Sequence, residues 1–203
     1  MRIKNLSSER ASKIRISVKS KYRDVAAKPE GHFPYPIGKE SALNLGYNAK
    51  WLEAIPADIV ESFVGVGNPF SICAPKPGEH VLDAGCGCGL DVFVSSLLVG
   101  PSGSVSGVDL TVEMLALPRS ILSKLEKTNM EFIEATIEAL PYKDGAFDIV
   151  ISNGTLNLIP DKAAAFSEIA RVLRPDGILA AADLLVTETI PPDVLAGKDA
   201  WST

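Results

Sequence analysis

The stretch His80-Val81-Leu82-Asp83-Ala84-Gly85-Cys86-Gly87-Cys88-Gly89 decides the fold of this chain. A short apolar strand runs into Asp83, then into glycines at alternate positions, then into an apolar helix that starts near Leu90. Glycine serves where a backbone turns tightly, takes a positive φ or lets a ligand approach to contact distance. A strand that ends in such a loop and feeds a helix presents free N–H groups to an anionic or polar ligand. Twenty residues after Gly89, Asp109 ends the next apolar strand, Val105-Ser106-Gly107-Val108. An acid at that place accepts hydrogen bonds from both ribose hydroxyls of an adenosine-containing cofactor. The two features together point to a nucleoside cofactor site.

Outward from this loop, strand and helix patterns alternate. Strands are expected near 80–84, 104–108, 130–134, 147–152 and 178–185, and helices near 90–99, 112–127 and 162–173. Pro118 is expected to kink or restart the second of these helices. In the third, Phe166, Ile169, Ala170 and Leu173 recur at the spacing of a face laid on a sheet. Asp161 is its expected N-cap, and Arg174-Pro175-Asp176-Gly177 reads as a turn. This order predicts an α/β, Rossmann-like, doubly wound and mainly parallel sheet. Before it, residues 29–38 read as a proline-rich loop, and helical stretches are expected over 50–53 and 56–64. The expected division is a basic N-terminal arm with a helical lid over 1–70 and a cofactor-binding domain over 71–203.

With 203 residues the chain is long enough for one domain with a full core. It contains no run of about 18 apolar residues, so no membrane span is expected, and a basic N-terminus without an apolar core argues against secretion. Cys73, Cys86 and Cys88 are odd in number and make no disulfide framework, which favours the reducing cytoplasm. The net charge of −5 conceals an asymmetry, because residues 1–28 carry nine Lys or Arg against Glu9 and Asp24. Such an arm suits either a polyanion or a solvated helical face. The acidic remainder and the helical spacing of Ile14, Val18, Tyr22 and Val25 favour the face, with no nucleic-acid partner expected.

Five ordered segments resemble the class I S-adenosylmethionine-dependent methyltransferases. They are Asp83–Gly89, Asp109, Ile137-Glu138-Ala139-Leu140-Pro141, Phe147–Asn153 and Arg171–Gly177. A narrower resemblance, to the arsenite methyltransferase branch, rests on Leu45-Gly46-Tyr47, Gly65-Val66-Gly67-Asn68-Pro69-Phe70, Ser152–Leu158 and Pro160-Asp161-Lys162. That branch binds arsenic through cysteines in the glycine loop, where this chain has Val64 and Val66, and just after Ser152-Asn153, where it has Gly154. The soft thiolates that hold trivalent arsenic are therefore missing from these positions. The class I fold also places two more strands after the fifth. Here eighteen residues follow Leu185, so the expectation is a truncated domain, or a homo-oligomer or partner chain that covers an apolar fifth strand.

The resemblance implies S-adenosylmethionine as cofactor and a small-molecule methyl acceptor, arsenite or another soft nucleophile among the options. Methyl transfer from a sulfonium is an in-line displacement in which the protein positions the nucleophile and excludes water. The absence of a Ser-His-Asp or Cys-His set is thus no argument against it, and no catalytic residue is singled out. The implied cofactor residues are Gly85, Gly87 and Gly89 around the methionine moiety, with Asp83 ordering that loop or meeting the amino group. Asp109 would bind the ribose, Leu110 and Met114 would flank the adenine, Ile137 and Glu138 would meet its edge, and Asn153 would lie at the end of the fourth strand. Tyr47, Gly65, Gly67, Asn68 and Gly154 would form a lid and acceptor side. No metal is expected, since Cys86-Gly87-Cys88 lacks a second ligand pair at zinc spacing. A nicotinamide dehydrogenase fits poorly, because Leu90 follows the Gly-x-Gly-x-Gly run and the later glycine of the dinucleotide fingerprint is missing. A non-catalytic relative of the same fold stays open as the alternative.

Overall fold

A computed structural model describes residues 7–125 and 128–185. Five parallel strands form the sheet: β1 His80–Ala84, β2 Ser104–Asp109, β3 Met130–Glu134, β4 Phe147–Asn153 and β5 Leu173–Ala182, in the order β3-β2-β1-β4-β5. The strand order reverses between β1 and β4, and open α/β sheets bind ligands outside the carboxyl ends of the strands at that crevice.

The N-terminal segment is helical: α1 Ser8–Ala27, α2 Gly38–Asn44, α3 Ala49–Glu53 and α4 Ala57–Glu61. Within the sheet region follow α5 Leu90–Val99, α6 Ala116–Leu122 and α7 Lys162–Val172. Ser7 starts α1 by accepting the Arg10 N–H at 3.3 Å, and Ile14 and Val25 are its buried residues. Alternate strand residues face opposite layers. Val81, Val105, Ile149 and Ile151 pack in one cluster with Val92 and Phe93 of α5 and with Leu52, Ile59 and Val60 of α3 and α4. Leu82, Ala84, Val108 and Val150 pack in the other with Ala165, Ile169 and Val172 of α7.

Several expected boundaries move. Of the helix expected over 112–127, residues 126 and 127 lie outside the described residues, and among the rest only α6 is α-helical, with Pro118 as its third residue. A first-turn proline lacks only an N–H that has no partner inside the helix, so it starts this helix rather than breaking it. Helix α7 lays Ala165, Ile169 and Val172 on the sheet, whereas Phe166 is exposed and so is Ala170. The small Ala165 lets the backbone approach the strands, and the helix rolls by about one residue from the face expected. Asp161 caps it, accepting the Ala164 N–H at 3.0 Å.

Strand β5 starts at Leu173, bulges through Arg174–Gly177 with Asp176 at φ 65°, and regains register at Ile178. It ends at Ala182 rather than at 185, because Asp183 turns away to accept the Asn157 N–H at 3.0 Å. Residues 38–44 form a helix outside the stretches expected to be helical; the Gly38 N–H anchors it to the Phe63 carbonyl at 2.7 Å. Among the described residues no helix is long and apolar enough to cross a membrane.

Candidate cofactor and acceptor site

The glycine loop is built by its neighbours. One carbonyl, that of Val108, accepts both the Gly85 and the Cys86 N–H at 2.9 Å and pins the loop to the end of β2. Gly85 and Gly89 take φ of +87° and +89°, and a side chain on Gly89 would come within 2.8 Å of the Phe132 ring. One on Gly85 would run into Thr155. Only glycine satisfies both demands.

Asp109 ties the loop to the next turn. Its Oδ2 accepts the Gly87 N–H at 2.9 Å and its Oδ1 accepts the Thr111 N–H at 2.8 Å. Burial pushes this carboxyl up, while those two hydrogen bonds and Lys19 pull it down. A carboxylate can accept more bonds than these, and Asp109 lines the cleft where a ligand hydroxyl would meet it. Asp83, 1 % exposed, is held well above the usual carboxylate range by burial first, then by Asp91 and Asp109. Two buried carboxyls and the half-buried Asp109 around one loop suit a ligand that brings hydroxyl donors and positive charge.

Asp91 is the residue that the sequence reading missed. It stands in the first turn of α5 and is pushed to about 6 by burial, against hydrogen bonds from Tyr47 and Asn153. The Tyr47 hydroxyl donates to its Oδ1 at 2.6 Å, and the Asn153 amide donates to its Oδ2 at 3.1 Å. Asn153 also accepts the Val66 and Gly67 N–H groups at 2.9 and 3.1 Å. Its side chain thus staples the 65–67 loop to β4 and α5. An acid inside the apolar run Leu90-Asp91-Val92-Phe93-Val94 was the available signal.

Most of the expected residues converge on one cleft. Asp83, the three loop glycines and Asp109 lie on one side, with Leu110, Met114, Ile137 and Glu138 around the continuation and Gly65, Asn153 and Gly154 at the far end. Tyr47, Gly67 and Asn68 are not in its lining. Tyr47 is buried beneath the 65–67 loop, and Asn68 accepts the Phe70 N–H at 3.1 Å to start a 3-10 turn.

The basic arm is part of this cleft. Arg15, Val18 and Tyr22 of α1 line it, with Arg15 2.8 Å from Glu138 and Lys19 3.0 Å from Glu134. Glu138 also accepts from the Thr136 hydroxyl, so its carboxylate is occupied within the protein.

A second cavity of about 470 Å³ meets the cleft at Tyr22, Gly65, Gly154 and Leu158. Cys86 and Cys88 line the first cleft, and burial holds both thiols up, Cys88 to about 11. Cys73 packs against the larger core cluster instead. His80 hydrogen-bonds Ser104 at 2.7 Å, and His32 lines neither cavity. Among the described residues no three His, Cys, Asp or Glu are grouped to hold a metal.

Residues 75–201 match the methyltransferase domain family. The chain belongs to that family. As a methyltransferase-domain chain with the class I sheet it takes S-adenosylmethionine as cofactor, and the cleft fits that group in hydroxyl acceptors, carboxyls beside the loop and backbone approach. Among curated relatives it is similar to an arsenite methyltransferase of Halobacterium salinarum, 41 % identical over 76 % of this chain and 39 % of that one. A demethylmenaquinone methyltransferase of Lactococcus lactis is 40 % identical over 49 % of this chain and 40 % of its own. Among solved structures, an arsenic(III) S-adenosylmethionine methyltransferase from Chlamydomonas reinhardtii superposes with a TM-score of 0.66 at 41 % identity, covering 72 % of this chain and 52 % of that one. The methyltransferase-domain chain described here therefore spans about two-fifths of the length of those curated relatives.

Proposed function

We propose that this chain carries out methyl transfer from S-adenosylmethionine to a small-molecule acceptor. The observation that supports it most is Asp109, at the end of β2, bridging the glycine loop and Thr111 in a cleft that a second cavity meets. When bound, the cofactor supplies a methyl group on a positively charged sulfur; the carbon passes to the acceptor's lone pair, the bonding pair stays on sulfur and the acceptor's proton leaves to water.

The chain's own residues orient and enclose. Asp109 offers both carboxylate oxygens to a ribose, and Asp83 and the glycine loop meet the amino-acid end. Leu110, Met114 and Ile137 sandwich the base. Helix α1 and the 65–67 loop act as a lid that keeps water out, the loop being held by Asn153 and Tyr47 and the helix by Arg15 and Lys19. Free cysteines fit a cytoplasmic setting.

Arsenite is the acceptor that relatives such as that of Halobacterium salinarum carry in their names. Against it here stand Val66 and Gly154 at the acceptor end, and thiols that burial keeps protonated on the cofactor side. The test is acceptor-dependent formation of S-adenosylhomocysteine across a panel of arsenite with glutathione, thiols, amines and phenols. Turnover with a member of the panel is expected. A chain that binds S-adenosylmethionine yet turns over none of them would favour the non-catalytic alternative.

A further inference from the structure

The geometry points to the second cavity as the seat of the methyl acceptor, and to that acceptor as a small, uncharged or anionic aromatic molecule. The inference rests on the methyl-transfer reading above. Four observations carry it. The cavity's volume of about 470 Å³ lies within the range of small-molecule sites. One wall is a run of rings, with Tyr22 and Phe33 centroids 6.4 Å apart and Phe33 and Tyr35 centroids 5.2 Å apart. Leu45, Val66 and Leu158 add aliphatic surface to the lining. Against rings and methyl groups, a flat apolar body buries most area.

The third observation is charge. Among the described residues no carboxylate lines the cavity, while Lys21 does, so a cationic ligand is disfavoured and a neutral or anionic one admitted.

The fourth is the junction with the cofactor cleft. A Cβ on Gly154 would sit 3.3 Å from Val66 Cγ2, so at the junction the apolar Val66 closes on the Gly154 backbone. Gly154 and Gly65 belong to both cavities, which places an occupant of the second next to whatever fills the first.

The experiment is a calorimetric titration of the full chain with 2-naphthol and with decahydro-2-naphthol, which lacks the aromatic rings, each with and without S-adenosylhomocysteine. Thermal melts of the variant check folding. We expect 2-naphthol to bind several-fold more tightly than the saturated alcohol, the effect of one or two ring contacts. Tyr35→Ala should remove most of that preference while S-adenosylhomocysteine still binds. A chain that binds S-adenosylhomocysteine but not 2-naphthol would overturn the inference and leave the methyl-transfer reading standing. Equal binding of both probes, or a preference indifferent to Tyr35→Ala, would also overturn it. Loss of S-adenosylhomocysteine binding in the unaltered chain would instead overturn the reading beneath it.

Discussion

Tyr47 and Asp91, forty-four positions apart in the chain, meet in a buried hydrogen bond of 2.6 Å. The contact joins the N-terminal helical segment to the first turn of α5, next to the glycine loop. Tyr47→Phe removes the donor and leaves a buried carboxyl oxygen short of a partner. The expected cost is ~1–3 kcal/mol of stability, read as a lower denaturant midpoint, with faster amide exchange in the 65–67 loop.

Asp91 also sets a pH dependence. Its carboxyl lies at about 6 in the folded chain against 3.8 for the unperturbed group, so the folded state holds the proton more tightly. Its contribution to stability is therefore full below about 4 and declines as the pH rises through about 6. Melting temperatures of the unaltered chain and of Asp91→Asn, measured from pH 4 to 7, should differ by an amount that changes across this window. A constant difference would show that Asp91 titrates normally.

Gly85→Ala imposes a side chain at φ +87° and drives it into Thr155. Backbone strain alone costs about 1–3 kcal/mol, and the overlap adds to it. The variant should melt well below the unaltered chain and lose affinity for S-adenosylhomocysteine.

Arg15→Glu sets two carboxylates against each other where Arg15 and Glu138 now stand 2.8 Å apart. Helix α1 should exchange its amide hydrogens faster, and S-adenosylhomocysteine should bind several-fold more weakly at low salt. Because the Arg15 side chain is 37 % exposed, the effect should shrink as salt is raised. A salt-independent loss would point to packing of Val18 and Tyr22 instead.

The glycine loop and Asp109 of this cleft were legible from the sequence because their signals are local. Glycines at fixed spacing, an acid at the end of the following strand and apolar strands between them each report a short-range backbone requirement. The closure over the site was not. That Arg15 meets Glu138 depends on how α1 folds back across the sheet, and no spacing within α1 encodes it. Asn153 shows a mixed case: its place at the end of β4 follows from the strand pattern, whereas its grip on Val66 and Gly67 is a long-range contact. In α7, the periodicity located the helix, but the roll that buries Ala165 and exposes Phe166 was decided by packing against the sheet.

The most direct measurement is a calorimetric titration of the full chain with S-adenosylmethionine and S-adenosylhomocysteine, with Asp109→Ala as the partner experiment. Asp109 accepts the Gly87 and Thr111 N–H groups and lines the cleft, so the account predicts one-to-one binding that the substitution weakens by about a hundredfold or more. Failure of the unaltered chain to bind either compound, or undiminished binding by Asp109→Ala, would contradict it.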